Sequence, residues 1–341
     1  MKKKFSMVIG NPPYNEETEN TSDKPVYNIL MEAAHKVADK TILITPARFL
    51  FDAGKTPKDF NQRMLNDPHF KVLDYAPDAK KYFNGVDIKG GVAITQYDST
   101  RTFEPIGTFI PWQELKSIHQ KVCVDNEKFQ PLSKIIYAPE SFHFTQKFHE
   151  DNPDAVKLLS DGHAFDLTTN IFDKLKDYFF DAKPADGNEY IQIFGLLNNR
   201  RTYKWICRDY IRNDINLDKF KVIVPKSNGS GSLYEVLSTP LVGSPLVGCT
   251  QTFISVGAFD TEAEALACLA YIKSKFARAM LGILKVTQHN PPATWAKVPF
   301  QDFSSGSDID WCKAVDEQLY RKYGLEAAEI DFIERHVKAM D

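Results

Sequence analysis

The first hundred residues alternate short apolar runs with one helical pattern, and this alternation constrains the fold more than any other feature. Residues 7–9, 41–45, 70–75 and 92–97 are apolar runs of the kind that forms buried strands. Residues 25–39 instead repeat apolar side chains at helical spacing, with a proline in the first turn. Strands that alternate with helices predict an α/β layer with a largely parallel sheet.

The composition is that of an ordinary globular chain. The 341 residues contain 42 Lys and Arg against 45 Asp and Glu, which gives a formal net charge of −3 at pH 7. A chain of this length is typical of about two domains, and a hydrophobic content of 43% excludes a disordered or low-complexity protein. The near-neutral charge balance excludes a uniformly basic DNA-coating protein but is compatible with a local basic groove.

Cysteine usage and hydropathy predict a cytoplasmic chain without a membrane span. The five cysteines include no CxxC pair, so neither a disulfide framework nor a metal site is expected. The apolar run at residues 6–10 is too short for a signal peptide. The stretch 240–259 is interrupted by Pro245 and several glycines, whereas a membrane span needs roughly 20 apolar residues.

The chain divides by pattern into four segments. Residues 1–100 carry the α/β pattern, residues 101–140 form a proline-punctuated connector, residues 141–303 are mixed and rich in aromatics, and residues 304–341 form a helical tail. The clearest helical pattern covers residues 261–285 and begins at a capping box formed by Thr261 and Glu264.

The motif Asn11-Pro12-Pro13-Tyr14 directly follows the first predicted strand. The adenine N6 nitrogen is a poor nucleophile because its lone pair is delocalised into the ring. The Asn11 side-chain oxygen and the Pro12 carbonyl can each accept one N6 hydrogen, which localises the lone pair. The prolines restrict the backbone, and Tyr14 offers a face on which a flipped base can stack. The alternative is a plain Pro-Pro turn; the repeat at residues 290–293 lacks the aromatic residue and is interpreted as a helix-terminating turn.

Several segments of the chain, including the one that contains Asn11-Pro12-Pro13-Tyr14, resemble the adenine-specific DNA methyltransferases of restriction–modification systems, of the Eco57I-like type. The resemblance covers most of the chain, in residues 8–15, 24–50, 72–98, 221–231 and 252–303. It implies that residues 1–100 are part of a Rossmann-like methyltransferase sheet, with an antiparallel strand after Gly90-Gly91. It also implies a target-recognition domain at residues 141–303, S-adenosyl-L-methionine as the methyl donor, and double-stranded DNA with a flipped adenine as the substrate.

The chain departs from this family in front of its motif. The family carries a glycine-rich cofactor loop before the motif, and here ten residues precede Asn11. We therefore expect the C-terminal half of a catalytic domain, an exposed edge on the first strand, and a partner chain or further segment that supplies the rest. A permuted arrangement, with Gly229 and Gly231 in the cofactor loop, is the alternative, although the helix expected after them is too short.

A basic run within residues 141–303 is the candidate for DNA contact. Tyr203, Trp205 and Tyr210 are interleaved with its cations. The cations are Arg200, Arg201, Lys204, Arg208 and Arg212. They could contact phosphates or guanine edges, or they could form a solvated helix face. Two rival functions remain: a protein-glutamine methyltransferase, which would not need the large second region, and a non-catalytic DNA-binding subunit.

Overall fold

The computed structural model describes residues 3–16, 24–228 and 237–340, which form two compact units. The first unit contains residues 3–16, 24–117 and 282–287. The second contains residues 118–228, 237–281 and 288–340. Both units mix helices with strands, so the predicted α/β class is confirmed. The segment boundaries expected at residues 100, 140 and 303 remain predictions.

The first unit is built around a sheet of four strands with the order β1-β4-β6-β5. Strand β1 runs parallel to β4, and β6 runs antiparallel to both of its neighbours. The elements of this unit are β1 (Phe5–Gly10), β2 (Asn15–Glu16), β3 (Lys24–Pro25), α1 (Tyr27–Val37), β4 (Ala38–Pro46), α2 (Lys58–Asn66), β5 (Phe70–Ala76) and β6 (Val92–Asp98).

Three of the four strands, β1, β4 and β5, run in the same direction, as expected for a largely parallel sheet, and β6 is the antiparallel strand that the resemblance implies. Val92, the first residue of β6, is paired with Ala76 and with Pro46, the last residues of β5 and β4. The loop from β5 therefore re-enters the sheet at the end where β5 leaves it, and β6 must run back. Gly91 lies at this crossing with φ +75°, where a Cβ atom would approach the Ala76 carbonyl oxygen to 2.1 Å.

Helices α1 and α2 belong to the core of this unit. Tyr27 and Met31 of α1, and Phe60 of α2, are buried in a cluster with Phe49 and Phe70. The helical spacing of these side chains puts them on one face of each helix. This core fixes the position of β4, whose side chains alternate between buried and partly exposed over most of its length.

The outer edge of β1 pairs with no strand in the described part of the chain. Phe5, Met7 and Ile9 are 56%, 44% and 69% exposed, although they belong to an apolar run of the buried-strand type. An uncovered apolar edge strand is a template for pairing with another strand. The exposed edge that the resemblance predicts is thus present.

The second unit contains three small sheets. Their strand orders are β13-β12-β15-β7, β10-β9-β14 and β11-β8. The helix α3 (Gln113–His119) includes the point where the chain passes from one unit to the next. The elements that follow are β7 (Ile136–Tyr137), β8 (His143–Phe144), α4 (Gln146–Asp151), α5 (Pro153–Val156), α6 (Ile171–Lys174), β9 (Tyr190–Leu197), β10 (Arg200–Cys207), β11 (Ile211–Arg212), β12 (Phe220–Pro225), β13 (Leu241–Gly243), β14 (Val247–Cys249), β15 (Phe253–Phe259), α7 (Glu262–Lys273), α8 (Lys275–Gly282), α9 (Val315–Lys322) and α10 (Ala327–His336).

The helix predicted over residues 261–285 is divided into α7 and α8. Its capping box is confirmed, because the Thr261 hydroxyl accepts from the Glu264 N–H and the Glu264 carboxylate accepts from the Thr261 N–H. Ser274 is extended, with φ −60° and ψ 150°. The Asp316 carboxylate accepts from the N–H groups of Lys275 and Phe276, at 3.1 and 2.8 Å, and so caps the start of α8. Among the described residues, no helix is long and apolar enough to cross a membrane.

Candidate functional site

The Asn11–Tyr14 segment begins where β1 ends, beside β4. The Tyr14 carbonyl accepts from the Val26 N–H at 3.0 Å, and the short ladder between β2 and β3 holds the chain that follows. Asn11 is exposed, and within the described ranges no residue makes a hydrogen bond to its side-chain amide. The amide is therefore available to a ligand at the end of the strand.

Tyr14, three residues after Asn11, contributes an aromatic ring to the same segment. Its ring meets that of Phe83 edge to face, with centroids 6.4 Å apart and an interplanar angle of 78°. The Tyr14 hydroxyl is buried and has no hydrogen-bond partner among the described residues. Burial raises the pKa of this phenol above its usual value, so the ring is neutral at physiological pH. The pair forms an apolar surface suited to a planar base.

Phe83 contacts Tyr14 of the candidate site, although no sequence motif points to it. It follows a short 3₁₀ turn, Ala79–Lys81, and its N–H donates to the Ala79 carbonyl at 2.9 Å. Nothing in the local pattern distinguishes it from other loop aromatics. The available signal was its position shortly before Gly90-Gly91, inside one of the segments that carry the family resemblance.

A cleft of about 290 Å³ adjoins Tyr14 in the first unit. Tyr14, Asn15 and Tyr27 contribute to its wall, together with the cations Arg48 and Lys89. It is open to solvent rather than enclosed, and its lining is both polar and apolar. An extended polar ligand with one planar group would find complementary chemistry here.

The first part of the basic run lies on strand β10 of a β-hairpin, whereas Arg208 lies in a short 3₁₀ turn and Arg212 in β11, so the helix-face interpretation is wrong. Strands β9 and β10 pair over their full length, and Asn198 and Asn199 form the turn with φ +50° and +59°. Two consecutive residues with positive φ are typical of a tight type I′ hairpin turn, which asparagine tolerates. Arg200 and Arg201 come directly after this turn and are exposed.

The other three cations of the run are paired with carboxylates. Lys204 is buried and bonds to Asp181. Arg208 lies 3.4 Å from Asp218, and Arg212 lies 2.6 Å from Asp214. Pairing reduces what these three side chains can offer to a phosphate. The structure therefore concentrates the available positive charge of the run at the start of β10.

The remaining candidates are two glycines and a second Asn-Pro-Pro sequence. Gly229 and Gly231 lie outside the described residues. Asn290, in the second Asn-Pro-Pro sequence, is fully buried and donates to the Asn228 side chain at 2.7 Å. Its backbone N–H donates to the Lys226 carbonyl at 2.7 Å. The expected helix-terminating turn is thus wrong, because α8 already ends at Gly282 and Asn290 anchors the chain near the end of β12.

The described residues contain no group of three or more His, Cys, Asp or Glu side chains that could hold a metal ion. The described cysteines are free thiols. Burial raises the pKa of Cys249 to about 12, so this thiol stays protonated at physiological pH and is a poor nucleophile.

Comparison with known proteins identifies one family for the first part of the chain. Residues 1–83 match the family model of the Eco57I restriction-modification methylase. The resemblance to this family is therefore confirmed for residues 1–83, which contain Asn11, Tyr14 and Phe83. No curated protein gave a significant match.

Two solved structures are similar to the whole chain at low identity. One is the type IIG restriction endonuclease BpuSI, with a TM-score of 0.31 and 11% identity, covering 97% of this chain and 48% of that chain. The other is the type IIL restriction-modification enzyme MmeI in complex with DNA, with a TM-score of 0.41 and 11% identity, covering 97% of this chain and 56% of that chain. The present chain thus spans about half the length of each.

Proposed function

We propose that this chain holds the target base in an S-adenosyl-L-methionine-dependent, site-specific DNA adenine-N6 methyltransferase of a restriction–modification system. One observation carries the proposal: an exposed asparagine at the end of β1 is followed three residues later by Tyr14, whose ring contacts Phe83. The match of residues 1–83 to a restriction-modification methylase family supports it.

The chemistry follows from what these groups can accept. A flipped adenine stacks on the Tyr14 ring, and its N6 hydrogens donate to the Asn11 side-chain oxygen and the Pro12 carbonyl oxygen. Pro13 has no N–H and a restricted φ, which limits the motion of the Pro12 carbonyl. With both N–H bonds engaged, the nitrogen lone pair points out of the base plane, where it can attack the methyl group of the donor. Positioning supplies most of the rate enhancement, because the methyl donor is already activated as a sulfonium.

The described residues do not fit a complete site for the methyl donor. Residues 3–16 and 24–117 contain no GxG turn between a strand and a helix, and hence no backbone cradle of that kind beside Asn11. We propose that a further segment, in this polypeptide or in a partner chain, pairs with the exposed edge of β1 and binds the donor. If that partner also carries the catalytic groups, this chain is a DNA-binding subunit, which is the second candidate.

In this proposal, residues 141–303 recognise the DNA sequence. The β9–β10 hairpin supports it, because a two-stranded ribbon fits the major groove of B-form DNA and its tip carries Arg200 and Arg201. Lys204, Arg208 and Arg212 are weaker candidates because carboxylates already pair with them. A cytoplasmic location is part of the same proposal, since the substrate DNA lies there.

A chromosomal substitution tests the catalytic assignment in cells that also supply any partner chain. In cells that carry the gene in its native context, Asn11→Ala should abolish N6-methyladenine at the enzyme's sequence, as detected by sequencing of modified bases. Asn66→Ala, an exposed asparagine on α2, should leave methylation intact. Purified Asn11→Ala protein should still bind DNA, because the lost contact acts mainly in the transition state. Retained methylation in the Asn11→Ala strain would refute the assignment.

A further inference from the structure

Arg48 is held in place by two loops of the first unit. It begins a short 3₁₀ turn two residues after the end of β4, and its Nε donates to the Lys89 carbonyl at 2.5 Å. The Ala53 N–H donates to the Arg48 carbonyl at 3.0 Å, and the Ala47 N–H donates to the Gly91 carbonyl at 3.0 Å. These bonds fix both the backbone of Arg48 and the direction of its guanidinium.

Two glycines make room for the Arg48 side chain. Gly90 has φ +83°, and a Cβ there would lie 2.8 Å from the Arg48 Cγ. Gly54 has φ +87°, and a Cβ there would lie 3.3 Å from the Arg48 Cβ and Cδ. A side chain on Gly90 would force the arginine to shift, and one on Gly54 would crowd it. The arginine is thus in a preformed position, which lowers the entropy lost when its guanidinium binds a ligand.

Arg48 contributes to the lining of the cleft that adjoins Tyr14. No carboxylate of a described residue forms an ion pair with Arg48. Lys55 and Lys89 also contribute to the cleft, and the acidic side chain there, Asp87, pairs with Lys89 at 2.9 Å. The described lining therefore has an excess of positive charge next to the proposed base site.

We propose that Arg48 binds a phosphodiester group of the DNA strand that carries the target adenine, next to the flipped nucleotide. This inference rests on the proposed function, because the proximity of the cleft to Tyr14 identifies the phosphate as one that flanks the base. A guanidinium can make two parallel hydrogen bonds to phosphate oxygens. Such a contact would hold the nucleotide outside the helix and align its base with Asn11.

The test measures coupling between Arg48 and one phosphate. The probe is a DNA duplex with a single unpaired adenine, made either with natural linkages or with uncharged methylphosphonates on both sides of that adenine. Arg48→Met keeps most of the aliphatic stem and removes the charge. We expect it to weaken binding of the natural probe roughly tenfold or more. The methylphosphonates should weaken binding of the wild-type protein similarly, and the two changes together should cost no more than either alone.

Two further variants separate position from charge. Gly90→Ala keeps every charge but displaces Arg48. It should therefore weaken binding of the natural probe as Arg48→Met does, and the methylphosphonates should then cause no further loss. If Gly90→Ala melts at a lower temperature than the wild-type protein, Gly54→Ala provides a milder displacement. Lys58→Ala removes an exposed cation of the same unit that lies outside the cleft lining. It should leave the effect of the methylphosphonates unchanged.

The outcomes distinguish this inference from the proposed function. If the Arg48→Met and methylphosphonate losses are simply additive, Arg48 does not contact those phosphates and the inference is wrong. Preference for an unpaired adenine over an unpaired thymine reports on the base site instead. If Arg48 and the methylphosphonates are coupled but the protein shows no preference for adenine over thymine, the phosphate contact stands and the assignment of adenine as the target is wrong.

Discussion

At the scale of single residues, the ring and the hydroxyl of Tyr14 have separable roles. The ring faces Phe83, whereas the hydroxyl is buried without a partner in the described part of the chain. Tyr14→Phe should therefore preserve affinity for a duplex with an unpaired adenine. Tyr14→Ala should lose the stacking energy of one base, about 1–3 kcal/mol. Titration by fluorescence anisotropy measures both, and an equal loss in the two variants would show that the hydroxyl contacts the DNA.

His119 provides a prediction on pH dependence. This histidine, at the end of α3, is buried, and burial lowers its pKa to about 4 from an ordinary value of 6.5. Between pH 6.5 and 4 the unfolded chain binds a proton that the folded chain excludes. The free energy of unfolding should therefore fall as the pH falls through this range, by up to about 1.4 kcal/mol per pH unit from this group.

His119→Gln should flatten that slope, as measured by urea unfolding at several pH values from 7 to 5. The control is a side chain that does not titrate: Asn66→Ala, at an exposed position on α2, should leave the slope unchanged. His35 in the first unit, whose pKa burial also lowers to about 4, contributes in the same direction and remains in both variants. An undiminished slope in His119→Gln would contradict the prediction.

At the scale of elements, the β9–β10 hairpin places two exposed arginines, Arg200 and Arg201, at its tip. Because Arg200 and Arg201 follow the turn, replacing both by Ala should weaken DNA binding and lower the salt slope by roughly 1 per lost phosphate contact. Equal weakening on all sequences would indicate backbone contacts. Weakening confined to the preferred sequence would indicate base contacts, each worth about 1–3 kcal/mol.

The control for the hairpin is Arg335→Ala, which removes an exposed cation of α10 that pairs with Asp331. It should change neither affinity nor salt slope. If the double substitution at Arg200 and Arg201 is as silent as this control, the hairpin tip is only a solvated surface.

At the scale of the whole molecule, the exposed edge of β1 predicts self-association of the isolated chain. Phe5 and Met7 are exposed beside unpaired backbone groups, and lysines at such positions oppose edge-to-edge pairing. The double substitution Phe5→Lys and Met7→Lys should lower the weight-average mass in sedimentation velocity at high protein concentration. Leu266→Lys, at an exposed apolar position on α7, should not. Equal masses for all three proteins would exclude the edge as an association surface.

The sequence alone was sufficient for features that depend on neighbouring residues. The α/β class, the strand before Asn11, the capping box of Thr261 and the family of residues 1–83 all follow from patterns a few residues long. Local spacing determines which side chains share a face, and capping uses atoms within one helical turn.

Tertiary structure decided what depends on residues distant in the chain. Ser274 divides a continuous helical pattern because Asp316, from another helix, satisfies the first N–H groups of α8. Arg48 gained a fixed position because Gly90, on a distant loop, leaves space for its side chain. Phe83 contacts Tyr14 because the β5–β6 connection carries it there. The residue types and local periods are written in the sequence, whereas these contacts arise only when folding brings separate segments together, since their energy comes from packing and hydrogen bonds between them.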